Sequence, residues 1–228
     1  MELQKRDCEI LKLCYEQRFI TREHFKTFFN GHHSGHYRRL EELERDGWVK
    51  KEYYPIFGRK PILRLSSAGE RLVQDKYGIS FPPLKGPNLN VLEHDSLVTS
   101  VRLRLSELWD ATFVPERAIQ AQDFPEIPDG IFFFQSGKGI AIEVECSDKG
   151  KNRFLTNIER WKGAHSIAFV LYVTPHFGLY RSIIRYLKYS SIDQSLGVVL
   201  WEDLQGGTPL VQTKKGEVDL FSKTQLQI

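Results

Sequence analysis

The chain has 228 residues, 41% of them hydrophobic, with 32 Lys/Arg against 29 Asp/Glu and a formal net charge of +3. That is enough apolar content for one large or two small packed domains, and no run approaches the roughly 20 apolar residues that cross a bilayer. The charge is uneven: 16 Lys/Arg against 12 Asp/Glu in residues 1–80, and 16 against 17 in the remainder, so the basic excess that would attract nucleic acid sits in the first third. The start MELQKRDCEILK lacks an apolar signal core, and Cys8, Cys14 and Cys146 show no metal-ligand spacing. Reduced thiols in a cytoplasmic protein with no membrane partner are expected.

In chain order, residues 3–17 place Ile10, Leu11, Leu13 and Cys14 at helical spacing, which predicts an amphipathic first helix. Thr21 follows an apolar pair and caps a second helix running to Phe28 or Phe29, with Phe25 and Phe28 inward and Asn30-Gly31 as its stop. Ser34 is expected to cap a third helix, Gly35 to Asp46, with Tyr37, Leu40 and Leu43 as its buried stripe and His36, Arg38, Arg39 and Glu42 outside. Trp48 to Tyr54 reads as a strand, Pro55 to Pro61 as a basic loop with Gly58-Arg59-Lys60 at its tip, and Ile62 to Leu65 as a returning strand. Ser67 then caps a helix that Gly78 ends.

Three short helices followed by a two-stranded ribbon resemble a winged helix-turn-helix over residues 3–78. The resemblance implies a double-stranded DNA partner, with the third helix in the major groove and the wing on the backbone. On that basis His36, Arg38 and Arg39 are the candidate groove contacts, and Lys50, Lys51, Arg59 and Lys60 the candidate phosphate contacts. The competing reading is a solvated helix in which Arg38 and Arg39 pair with Glu41, Glu42 or Glu44, in a module that binds protein.

Phe81 to Asn88, with its prolines and Gly86, marks a linker over 81–90, so the expected organisation is a winged helix at 1–80, a second domain at 91–205 and a hairpin or tail at 206–228. Val91 to Leu108 predicts a long helix, Thr112 to Val114 a short strand, and SIAFVLYV at 166–173 a strand buried on both faces. Asn152 to Gly163 and His176 to Tyr189 predict further helices, and Gly197 to Leu200 a last core strand. The fold class is α/β (α+β), a helix-flanked mixed sheet.

Within this domain Phe132 to Phe134 and Ile140 to Glu145 read as a hairpin turned by QSGKG. Residues two apart on a strand share a face, so Glu143 and Glu145 project together and Ile140, Ile142 and Val144 project away. Strand pairing would bring Asp129 beside them, and three carboxylates without a cation suit a hard divalent ion such as Mg2+ or Mn2+. The alternative is two acids on the wet face of a half-buried sheet. Pro128-Asp129 and Glu143-Val144-Glu145 resemble the PD-(D/E)xK nuclease core, with Glu145 where the motif has lysine, and Lys149 or Lys151 a candidate migrated cation.

A winged helix joined to such a core is similar to the replication-relaxation family of mobile genetic elements, which includes MobC-type relaxases of plasmids. The resemblance implies recognition of a replication or transfer origin and metal-dependent nicking, with Asp129, Glu143 and Glu145 as ligands and Lys149 or Lys151 at the phosphate. It also implies relaxosome or replication proteins as partners; the sequence leaves the oligomeric state open, with a homodimer as one arrangement. Glu93 and Glu116 are outer acid candidates, His94 a proton shuttle, and Tyr172, Tyr180 and Tyr186 candidate nucleophiles. The reading from another class is a noncatalytic replication or transcription regulator on an inactive nuclease scaffold, which the missing lysine favours.

Overall fold

The computed structural model describes residues 2–29, 33–82, 88–119, 127–191 and 195–222, and of residues 33 and 34 the backbone alone. The expected Asn30-Gly31 stop, the Ser34 cap and the 83–87 part of the linker lie outside what is described. The chain is mixed α/β and divides into two compact units, Met1–Ser100 and Val101–Ile228. Among the described residues no helix is long and apolar enough to cross a membrane.

In the first unit, α1 (Lys5–Glu16) buries Ile10, Leu11, Leu13 and Cys14, as their spacing predicts. After β1 (Ile20–Thr21), α2 (Arg22–Thr27) is capped by Thr21, whose Oγ1 accepts the His24 N–H at 3.3 Å. Phe25 and Phe29 are buried there, and Phe28 only partly. Next come α3 (His33–Arg45), β2 (Val49–Tyr53) and β3 (Pro61–Leu65). β2 and β3 pair antiparallel from Val49↔Leu65 to Tyr53↔Pro61, and β1 adds to β3, giving the order β1-β3-β2. A 3-10 turn at Pro55–Phe57 and Gly58 at φ +62°, a backbone that favours glycine, reverse the chain between β2 and β3. The cap of α4 (Ser67–Tyr77) is Ser66 rather than Ser67: its Oγ accepts the Gly69 N–H at 3.1 Å and donates to the Gly47 carbonyl.

The rotation of α3 corrects the sequence reading. Leu40 and Leu43 are buried as expected, but His36 is 2% exposed and Tyr37 45%. His36 stands four residues before Leu40 and seven before Leu43, in line with the apolar stripe, whereas Tyr37 lies one residue, about 100°, off it. Phase outweighs hydrophobicity, and the imidazole takes the inner place 4.2 Å from the Tyr37 ring and 6.2 Å from that of Phe29.

The first turns of α5 (Leu92–Leu108) belong to this unit, where Leu92 packs with Phe19 and Ile62. His24, 4% exposed, accepts the Thr21 N–H on Nδ1 at 3.1 Å, which leaves its proton on Nε2 to face Ser100 Oγ at 2.8 Å. Ser100 Oγ donates onward to the Ser96 carbonyl at 3.1 Å. The ring is thus neutral, and burial pulls its pKa from 6.5 down to about 4.

The second unit is a seven-stranded sheet in the order β10-β9-β8-β7-β6-β5-β4. β4 (Thr112–Pro115), a short α6 (Glu116–Ile119), β5 (Gly130–Phe133) and β6 (Gly139–Val144) make an antiparallel edge. α7 (Lys151–Glu159) leads to β7 (Ile167–Thr174), and α8 (Phe177–Leu187) to β8 (Ser195–Leu200), so that β6, β7 and β8 run parallel. After α9 (Trp201–Gly206), the hairpin β9 (Val211–Thr213) and β10 (Gly216–Val218) pairs with β8 and extends the same sheet. One core joins Ile131, Ala141, Val170 and Val198 of the sheet to Phe154, Ile158 and Ile183 of α7 and α8. The right-handed preference of parallel crossovers suits two helices that return over one face.

His24 makes stability depend on pH. As pH falls, the unfolded chain takes up the proton near 6.5 and the folded chain only near 4, so this contribution is whole above 6.5 and is lost between 6.5 and 4. About 2 kcal/mol should disappear between pH 7 and pH 5. Thermal melts at the two values should show a larger drop for the wild type than for His24→Gln; equal drops would exclude His24 as the cause.

Candidate functional site

The acidic residues sit where β5 and β6 meet. Gly130 opens β5 because a Cβ there would run into the Phe113 ring, which packs on Phe132 at 4.8 Å and carries the Arg102 guanidinium at 4.4 Å. Just before it, Asp129 donates its N–H to the Ile142 carbonyl at 3.1 Å, and its Oδ2 accepts the Val144 N–H at 2.7 Å. The carboxylate therefore stands in for backbone, continuing the ladder past the end of β5. Extending the Gly130↔Ile142 register by one residue sets Asp129 across from Glu143, whose other neighbour is Tyr172 of β7.

The ladder runs one residue beyond β6, the Glu145 N–H donating to the Val173 carbonyl at 2.9 Å. Strand alternation carries Glu143 and Glu145 to the helix-covered side, that of Ala141. Glu145 is 8% exposed, and its Oε1 lies 2.7 Å from Lys149 Nζ. Lys149 therefore pairs with this cluster, while Lys151 turns away, its Nζ 3.3 Å from the centroid of the Tyr189 ring. Asp148, which the sequence reading passed over, accepts the Gly150 N–H at 2.8 Å and the Tyr186 hydroxyl at 3.1 Å. The Gly150 N–H first, and then Tyr186, hold its carboxyl below the usual aspartate range.

All-oxygen donors suit magnesium or manganese, but here Asp129 is already engaged by a backbone amide and Glu145 by a lysine. Among the described residues no group of three or more His, Cys, Asp or Glu is disposed to hold a metal ion. Tyr172 and Tyr186 are core residues at 3% and 8% exposure, the latter bonded to Asp148, and burial raises the Tyr180 phenol pKa. His94 Nδ1 faces Asp95 Oδ1 at 3.3 Å in the first unit.

The basic candidates of the first unit separate into two groups. Arg38, with its side chain 84% exposed, stands 3.6 Å from Glu42, and Lys60, 72% exposed, only 3.9 Å from Glu23. Lys50 and Arg59 are exposed. These four face solvent. His36 is buried, so it is not a groove contact in this structure. Arg39 is also turned inward: its Nε is 2.9 Å from Oδ1 of the fully buried Asp7, a second bond joins Nη2 to Asp7 Oδ2, and Nη1 reaches Glu42 at 2.8 Å. The Asp7 carboxylate raises the already high pKa of this guanidinium. Lys51 pairs with Glu44 at 2.5 Å. The sequence signal that separates Arg38 from Arg39 is the helical phase of His36, Leu40 and Leu43, since Arg39 borders that stripe. No protein-family model, curated protein or solved structure matches the chain.

Replacing Arg39 leaves a buried carboxylate unpaired, whereas replacing Arg38 leaves nothing buried. Arg39→Ala should cost about 3 kcal/mol in denaturant unfolding and Arg38→Ala under about 0.5 kcal/mol. Similar losses for the two variants would contradict the inward placement of Arg39.

Proposed function

We propose that the chain is a DNA-binding protein whose first unit is a winged helix-turn-helix, with α3 in the major groove and the β2–β3 ribbon on the phosphate backbone. One observation carries this reading: the order α1-β1-α2-α3-β2-β3 with the sheet β1-β3-β2, which leaves Arg38 on α3 and Lys50, Arg59 and Lys60 on the ribbon open to solvent. Exposed cations on a ribbon are suited to phosphate, and an exposed arginine on the helix to a guanine edge. Most of the charged side chains on the inner side of α3 are already neutralised within the chain.

For the second unit, the antiparallel β4-β5-β6 edge running into parallel β7 and β8, with Asp129 and the Glu143-Val144-Glu145 stretch at the meeting point, supports a PD-(D/E)xK-type core. Together the units suit a replication or transfer factor of a mobile element that recognises its origin DNA, as in the replication-relaxation family. The Lys149–Glu145 pair favours a noncatalytic second unit that supports binding. The second reading, a magnesium-dependent nick at Asp129, Glu143 and Glu145 with Lys149 at the phosphate, is favoured by the facing positions of Asp129 and Glu143.

Fluorescence anisotropy on duplex DNA at several salt concentrations tests the binding. Arg59→Ala and Lys60→Ala should each weaken it and lower the salt slope by about 1; unchanged slopes would remove the ribbon from the interface. Supercoiled plasmid incubated with Mg2+ or Mn2+ separates the two readings of the second unit. Nicked circles from the wild type but not from Asp129→Ala would support cleavage. No nicking at concentrations that saturate binding would leave the noncatalytic reading.

A further inference from the structure

The surface of α2 and α3 carries one arrangement that the candidate contacts do not include. The guanidinium carbon of Arg22, the first residue of α2, lies 3.4 Å from the centroid of the Tyr37 ring on α3. Tyr37 is exposed beside Arg38, with Glu41 exposed one turn further on. The acid next to Arg22 does not compete for it, because both Glu23 oxygens are held by Lys26 Nζ at 2.9 and 3.1 Å. Arg22 Nε is buried against the ring and has no hydrogen-bond partner.

A guanidinium laid on an aromatic face has its plane set and much of its rotamer entropy already lost, while its outer N–H edge remains available. Guanine presents O6 and N7 to such an edge in the major groove, and that bidentate pair is the commonest specific contact there. We infer that Arg22, oriented by Tyr37, reads a guanine next to the α3 contacts and is a specificity-determining residue of the DNA site. The inference rests on the DNA-binding reading. It differs from a phosphate contact in a measurable way: loss of a base reader changes preference, and loss of a phosphate contact weakens every duplex alike.

The test begins with selection of preferred duplexes from a randomised 20-base-pair pool by the wild-type protein, followed by anisotropy on the selected duplex and on a scrambled one. Arg22→Ala and Arg22→Lys should each lose about 10- to 100-fold on the selected duplex and little on the scrambled one. Reselection with either variant should relax one guanine position. Tyr37→Ala should follow them, and Tyr37→Phe, which keeps the ring, should remain near wild type. Thermal melts of all four variants check folding, and the two arginine substitutions are compared only if their midpoints match the wild type. Equal losses on both duplexes with rescue by lysine would overturn the inference in favour of a phosphate contact, and unchanged preference would overturn it outright. Failure of the wild type to bind or select any duplex would instead overturn the DNA-binding reading beneath it.

Discussion

The rotational setting of α3 depends on a largely buried ion pair. Asp7 is fully buried near the start of α1, and Arg39 reaches it from the middle of α3 with two hydrogen bonds, while the Gln4 N–H donates to the same carboxylate at 2.7 Å. Opposite charges in a low-dielectric interior attract strongly, and each would be costly without the other, so the pair acts as a positional constraint more than as a source of net stability. With Arg39 anchored inward, His36, Leu40 and Leu43 must face the core, and Tyr37, Arg38 and Glu41 must face outward. What the first unit can offer to a partner follows from that rotation.

The second unit handles charge differently. Its strands β6 and β7 are buried almost throughout, and the acids gather where β6 ends and the parallel ladder gives out. There the chain compensates itself, with the Val144 amide on Asp129 and Lys149 on Glu145. An external cation would have to compete with these internal partners, which sets a threshold affinity for any metal chemistry at this point. Lys149, four residues after Glu145 on the loop before α7, supplies positive charge locally.

Much of this was legible in the sequence where one periodicity dominated. The apolar spacing of α1, the continuous SIAFVLYV run of β7, the QSGKG turn and the ribbon between Val49 and Leu65 each had one reading, and the structure follows it. The failures share a cause. Tyr37 and His36 were sorted by side-chain type when phase decided the matter, and Ser66 and Ser67 were adjacent candidates for one cap that only the Gly47 carbonyl distinguishes. The convergence of Asp129 on β6 was legible from the register, but its bond to a backbone amide was not, because a carboxylate looks the same in sequence whether it awaits a ligand or replaces a missing strand residue. The same holds for Lys149 and Arg39, whose partners are set by tertiary packing.

Gly130 sits directly beneath the Phe113 ring, one residue from Asp129. Neither position is free to change alone: any side chain at 130 needs a smaller residue at 113, and a smaller residue at 113 uncovers both Phe132 and the Arg102 guanidinium. The two positions can therefore be exchanged only as a pair. Because Asp129 takes its position from the strand that Gly130 begins, the acid is held in place by a packing contact to which it contributes nothing.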